Sequence, residues 1–136
     1  MTQRRLRRIL LVEDDPALRM VARVALEKVG GFQVLGCASG PEALAQLAEF
    51  GPDLALLDVM MPEMDGPATL RAIRGLPGGA TLPVAYLTAK VHERELGELR
   101  AQGVIGVLAK PFDPMRLSAA VNELWLGIDG EEARDR

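Results

Sequence analysis

The sequence predicts a single α/β domain, a parallel sheet with helices on both faces. Three observations carry that expectation. The chain has 136 residues, a length that suits one domain with a core of its own. Five short apolar runs bounded by Gly, Pro or Asp read as strands, and their near-continuous hydrophobicity suits burial on both faces. Stretches with helical spacing separate them, and strands alternating with helices imply right-handed βαβ units.

Taken in order, the expected strands are Arg8–Val12, Phe32–Gly36, Asp53–Leu57, Pro83–Leu87 and Val104–Leu108. The first helix follows Asp15, an N-cap, with Pro16 in the first helical position. Leu18, Val21, Ala22, Ala25, Leu26 and Val29 form its apolar stripe, and Gly30-Gly31 ends it. A second helix starts at Ser39, where Glu42 completes a capping box, and stops at Gly51-Pro52. A third follows Asp65-Gly66 and ends near Gly75, before the Pro77-Gly78-Gly79 turn. The fourth runs from Val91 to Gln102 on a thin stripe, Leu96 and Leu99. The fifth opens with Asp113-Pro114 and buries Leu117, Ala120, Val121 and Leu124. Residues 8–126 therefore form the domain. A basic extension, 1–7, precedes it, and a charged tail, 127–136, follows and is expected to fray.

Composition excludes several kinds of chemistry. One cysteine cannot close an intramolecular disulfide or build a thiolate zinc site. With one histidine, His92, a hydrolytic triad has a single candidate base, and no Gly-x-Ser-x-Gly elbow accompanies it. His92 reads as the exposed start of the fourth helix, Cys37 as a small packed side chain and Trp125 as a lid on the core. A net charge of −3 and 4% aromatics give no basic field or stacking platform for nucleic acid. The run Arg4-Arg5-Leu6-Arg7-Arg8 precedes only Ile9 to Val12 as an apolar stretch, too short for a signal peptide or a membrane span. A cytoplasmic protein with a solvated, partly disordered basic terminus is the expectation.

In an open parallel sheet, ligands bind beyond the carboxyl ends of the strands. There the sequence places Glu13, Asp14 and Asp15 after the first strand, Asp58 after the third, Thr88 after the fourth and Lys110 after the fifth. Alone, each has a plain reading: Asp15 as a helix cap, Glu13 and Asp14 as loop acids, Thr88 as a cap, Lys110-Pro111 as a turn. Asp58 is harder to dismiss, because it interrupts Leu56-Leu57-Asp58-Val59-Met60-Met61, where an unpaired buried acid would cost several kcal/mol. Gathered acids repel unless a cation sits among them, and oxygen ligands without Cys or His suit Mg²⁺. With a lysine and a hydroxyl beside them, such a set suits a phosphoryl group, whose phosphorus an aspartate can attack.

At this point the residues resemble the receiver domain of two-component response regulators, single-domain type, from Ile9 to about Trp125. The motifs are Ile9-Leu10-Leu11-Val12-Glu13-Asp14-Asp15, Leu57-Asp58-Val59-Met60-Met61-Pro62-Glu63-Met64-Asp65-Gly66, Leu87-Thr88-Ala89-Lys90 and Lys110-Pro111-Phe112. The resemblance implies a flavodoxin-like (βα)5 fold with strand order 2-1-3-4-5. It makes Asp58 the phosphoacceptor, served by a sensor histidine kinase or a histidine phosphotransfer protein. Mg²⁺ would be held by Asp14, Asp58 and the Met60 carbonyl, with Glu13 in the same pocket through water. Thr88, the Ala89 amide and Lys110 would contact the phosphoryl oxygens, and the bond before Pro111 would be cis. Met60 and Lys90 would flank the phosphoryl group and slow its hydrolysis. An unknown output protein would read the face of the fourth helix, fifth strand and fifth helix. The chain would catalyse only its own phosphorylation and dephosphorylation.

One departure stands out. Many receivers carry Tyr or Phe three residues before the lysine as half of the switch; here that residue is Val107. Tyr86, two residues before Thr88, reads as strand core, so signalling through loop and fourth-helix movement alone, or a weak switch, is expected. Three rival readings compete with this one. A haloacid-dehalogenase-like phosphatase needs a second acid two residues past its nucleophile, where Met60 stands. A docking module without chemistry is opposed by the intact Glu13, Asp14, Asp58, Thr88 and Lys110. The third is a detached receiver of a longer DNA-binding regulator or hybrid kinase; the short tail after Trp125 holds no output domain.

Overall fold

The computed structural model describes residues 4–90 and 92–134. Its elements are β1 (Arg8–Val12), α1 (Pro16–Val24, continued by a π-helical turn, Ala25–Val29), β2 (Gln33–Cys37), α2 (Gly40–Phe50), β3 (Leu54–Asp58), α3 (Gly66–Arg74), β4 (Val84–Thr88), α4 (Glu93–Arg100), β5 (Gly106–Ala109) and α5 (Leu117–Arg134). The five strands form one parallel sheet in the order β2-β1-β3-β4-β5, so the fold is the expected flavodoxin-like α/β architecture.

Alternation within each strand divides the core in two. Leu10, Val12, Ala55, Leu57, Val84 and Tyr86 face one cluster with Ala43, Leu47, Leu70, Ile73 and Leu99 of α2, α3 and α4. Ile9, Leu11, Leu54, Leu56, Ala85 and Leu87 face the other, with Ala22, Leu26, Leu117, Val121 and Trp125 of α1 and α5. Burying each large aliphatic side chain contributes about 1.5–3 kcal/mol. Two-sided burial is why β1, β3 and β4 are apolar except at Arg8, Asp58 and Thr88, which stand at their ends.

The helix signals act as read. Asp15 Oδ1 accepts the N–H groups of Ala17 (2.9 Å) and Leu18 (3.3 Å). Ser39 Oγ accepts from Glu42 N, and Glu42 Oε2 accepts from Ala38 N. Gly51 ends α2 at φ 62°, a left-handed conformation that suits glycine.

Several expectations are corrected. β2, β3 and β4 each lie one residue later than expected, because the ladder pairs Val12 with Cys37, Asp58 with Leu87 and Thr88 with Ala109. β5 is shorter at its start, and Gly106 lies under Leu124, whose Cδ2 would stand 2.5 Å from a Cβ there. In α1 the expected stripe is only partly buried: Ala22, Ala25 and Leu26 are buried, whereas Val21 and Val29 are 44% and 47% exposed. α4 starts at Glu93 with His92 as an exposed cap residue; Val91 lies outside the described residues. Asp113 does cap, since its Oδ1 accepts from Met115 N at 2.9 Å, but a tighter turn intervenes and α5 starts at Leu117. α5 also continues past Gly127 to Arg134.

The basic terminus is the largest correction. Asp53 Oδ2 accepts the backbone N–H groups of Arg7 (3.0 Å) and Arg8 (2.9 Å), and Asp53 Oδ1 pairs with Arg4. Arg8 bonds the Phe50 carbonyl and stacks over its ring. Trp125 Nε1 donates to the Arg4 carbonyl at 2.7 Å, and Leu6 is buried. Arg4 to Arg8 are therefore tied to the domain, because one carboxylate collects two backbone donors and a guanidinium. Trp125 is a buried lid, as read. Among the described residues no helix is long and apolar enough to cross a membrane.

Burial pushes the phenol of Tyr86, the chain's one tyrosine, up to about 12, helped by the charge of Asp65 and opposed by Arg71 and Arg74. Its folded value exceeds the unfolded value of 10.0, so the native state holds the proton longer and stability falls as pH rises through that window. Tyrosinate absorbance should appear only near the upper value in the folded chain and near the lower one in urea. Coincident titrations would contradict the burial argument.

Candidate functional site

The acids converge at the carboxyl ends of β1 and β3, beside those of β4 and β5. β1 delivers Glu13, whose N–H bonds Cys37 O and whose Oε2 accepts from Asp15 N at 3.1 Å. Arg19 braces this loop from α1, donating from Nη1 to the Glu13 carbonyl at 2.8 Å. β3 delivers Asp58 as its last residue, with Oδ1 accepting from Met60 N at 3.3 Å. β4 delivers Thr88, whose Oγ1 accepts from Lys90 N at 3.0 Å. After β5, the N–H of Lys110 bonds Thr88 O, and the Lys110–Pro111 bond is cis.

Glu13, Asp58 and Thr88 are 1%, 2% and 1% exposed, while Asp14 is half-buried. Lys110 Nζ lies 2.8 Å from Glu13 Oε1 and 3.0 Å from Asp58 Oδ1. Carboxylate oxygens of Glu13, Asp14 and Asp58 all lie within 4.8 Å of one another. Burial pushes the Glu13 carboxyl up, and the Asp58 charge adds to this against the opposing bond from Lys110. For Lys110 burial works against the ammonium, but hydrogen bonds and charges from Glu13 and Asp58 outweigh it and hold its pKa above the ordinary lysine value.

Three carboxylates against one ammonium leave an excess of negative charge, and the buried Glu13 Oε1 has the Lys110 ammonium as its partner among the described residues. Both features fit a hard divalent cation, which takes oxygen ligands without thiolate or imidazole. Glu13, Asp14 and Asp58 are the residues that could hold it.

Of the other sequence-read residues, Ala89 and Met60 are exposed beside the acids, Met60 by 65%. Val107 is half-buried in the sheet. Lys90 sits next to the site, but its Nζ pairs with Glu95 Oε2 at 3.1 Å. Burial pushes the Cys37 thiol up to about 11, in keeping with a packed side chain.

Two contributors escaped the sequence reading. Arg19 sits on the partly buried side of α1 four residues past Asp15, but nothing in its spacing names a carbonyl as its partner. Gly66 read only as a helix start. Its N–H bonds Val59 O at 2.9 Å, and a Cβ on it would stand 2.8 Å from Asp58 O. The backbone beside Asp58 can run there only because position 66 has no side chain. A cavity of about 730 Å³ lies elsewhere, with Arg5, Arg7, Gly30, Phe32 and Ser118 in its lining. It contains none of the clustered acids.

The comparisons with known proteins agree with this geometry. The family model for the response regulator receiver domain matches residues 9–122. A probable C4-dicarboxylate response regulator, DctR, of Halalkalibacterium halodurans is 37% identical over 117 residues, covering 85% of this chain and 50% of its own length. An uncharacterized 14.6 kDa protein of Leptolyngbya boryana is 39% identical over 120 residues, covering 88% of this chain and 91% of its own. The chemotaxis response regulator CheY4 of Vibrio cholerae superposes with a TM-score of 0.80 at 29% identity, over 88% of this chain and 99% of that one. The chain spans about half the length of several of the response regulators it matches. With a family match across most of its length and the family's fold beneath an acidic cleft, the chain belongs to the response regulator receiver domains of two-component systems.

Proposed function

We propose that this receiver is a phosphoacceptor in a two-component phosphorelay and that Asp58 takes the phosphoryl group. The observation that carries the reading is Lys110 Nζ seated between Glu13 and Asp58, with a third carboxylate alongside. An Asp58 oxygen attacks the phosphorus of a phosphohistidine on a sensor kinase or phosphotransfer protein. The P–N bond breaks, the donor imidazole leaves with the electron pair and takes up a proton, and an acyl phosphate remains on Asp58. Lys110 neutralises phosphoryl oxygens from one side. Thr88 Oγ1 and the Ala89 amide donate to them from the other, once Thr88 releases the Lys90 amide.

Mg²⁺ fits the acids as the cofactor, held by Asp14, Asp58 and the Met60 carbonyl with Glu13 behind; bound there, it offsets negative charge on the transferring group. Met60, exposed over the acceptor, slows hydrolysis by excluding water. The chain acts on no external substrate and catalyses only changes at its own Asp58. A cytoplasmic location, an output protein reading the α4, β5 and α5 face, and no direct contact with nucleic acid or membrane complete the proposal. Because several relatives are about twice as long, a receiver that works within a longer regulator is the second reading.

Acetyl phosphate with Mg²⁺ should add one phosphoryl mass to the intact chain. Asp58→Asn should gain none, and chelation with EDTA should abolish the gain. A chain that gains no mass from any small-molecule or protein donor would leave only a docking role.

A further inference from the structure

A receiver without a ring at position 107 carries one beside it, on the neighbouring strand. Tyr86 of β4 and Val107 of β5 are directly paired in the ladder, and both face the cluster that holds Leu99 of α4. The Tyr86 ring is wholly buried there, close against the backbone of Gly66: its Cε1 lies 3.2 Å from where a Cβ on that residue would stand. Its hydroxyl donates to Gln102 Oε1 at 2.6 Å, just past the C-terminal end of α4. The other end of α4 is tied differently. Lys90 N bonds Thr88 Oγ1, and Lys90 Nζ pairs with Glu95 in the first turn of the helix.

We propose that Tyr86 and Gln102 form the pivot of α4, so that phosphorylation swings the helix by its first turn while its last turn stays pinned. This rests on the phosphoacceptor reading of Asp58. When Thr88 turns to the phosphoryl group its bond to Lys90 N is lost, and the loop moves. The Lys90–Glu95 pair transmits that movement to the start of α4. Leu99 and the Tyr86–Gln102 bond hold the other end. A buried ring whose hydroxyl is bonded makes a fixed point, in contrast to an aromatic that changes rotamer. The face made by α4 and β5 would then change by tilt.

The test combines intact-mass measurement with backbone amide NMR, using acetyl phosphate and Mg²⁺, on the parent chain, Tyr86→Phe and Gln102→Leu. Gln102 is exposed, so its variant should fold even if the phenylalanine one does not. All should gain one phosphoryl group. In the parent, amide shifts on phosphorylation should be large at Glu93–Glu95 and fall away toward Gln102. In either variant the shifts at Arg100–Gln102 should rise to match those at Glu93–Glu95. A parent chain whose α4 shifts are uniform or absent despite full mass gain overturns the pivot and leaves the phosphoacceptor reading standing. The same is true if both variants keep the parent's gradient. No mass gain in the parent overturns both.

Discussion

Replacing Lys110 by methionine should remove about 2–3 kcal/mol of stability at neutral pH. Removing one member of a buried ion pair costs about 3–5 kcal/mol, and the lower figure allows for the 17% exposure of the lysine side chain. Lys110 is the cation that contacts both Glu13 and Asp58 among the described residues. Without it two buried carboxylates face each other with no counter-charge, and the loss comes from them more than from lost packing, since methionine keeps the stem.

The sign of the pH dependence follows. The folded Glu13 carboxyl already lies above its ordinary 4.5, and losing Lys110 lifts it further. A carboxyl with a raised folded pKa weakens the fold above that pKa, and the penalty fades as pH falls toward the unfolded value. Urea unfolding at mildly alkaline and mildly acidic pH should therefore show a smaller deficit in acid. Added Mg²⁺ should raise the stability of the variant more than that of the parent, because it takes up charge that the lysine no longer balances. Equal deficits at both pH values, or a Mg²⁺ response no greater than the parent's, would contradict the electrostatic account.

Gly66→Ala should destabilise the chain by about 1–3 kcal/mol, the range for forcing an extra methyl group into packed surroundings. The neighbours of the new Cβ are Asp58 O at 2.8 Å and Val59 Cα at 2.9 Å. Both are backbone atoms, so no side chain can swing aside. The displaced backbone carries Asp58, so the rate of phosphorylation by acetyl phosphate should fall with the stability. Gly97→Ala provides the opposite case. It lies within α4 with nothing near its missing Cβ, and alanine there should stabilise by about 0.5–1 kcal/mol through helix propensity. Thermal unfolding of the two variants checks both signs, and a Gly66→Ala chain as stable as the parent would refute the close approach.

Local signals in the sequence located most of the elements. Asp15-Pro16, Ser39 with Glu42, and Asp65-Gly66 start α1, α2 and α3 where the caps place them, because a cap is a bond between residues two or three apart. Strand ends were less legible. Asp58 and Thr88 read as residues after their strands, yet both pair in the ladder, with Leu87 and Ala109, partners that lie more than twenty residues away. The fifth helix misled for a related reason. Asp113 does cap, but the turn it caps is not yet α-helical, and regular bonding begins at Leu117.

What the sequence determined by itself was the inventory and its edge: five strands, the helices between them, and Glu13, Asp14, Asp58, Thr88 and Lys110 at one end of the sheet. Periodicity and strand order suffice for that, since chain direction in a parallel sheet brings every strand's carboxyl end to the same side. Tertiary structure alone decided which groups touch. It set Lys110 between Glu13 and Asp58, gave the Lys90 charge to Glu95, and tied Arg4, Arg7 and Arg8 to Asp53. It also put the Tyr86 ring beside Val107 with its hydroxyl on Gln102. The physical reason is range. Caps and hydrophobic periods are fixed by neighbours within a turn, whereas an ion pair or a buried hydroxyl takes whichever partner the packed strands and helices bring within about 3 Å.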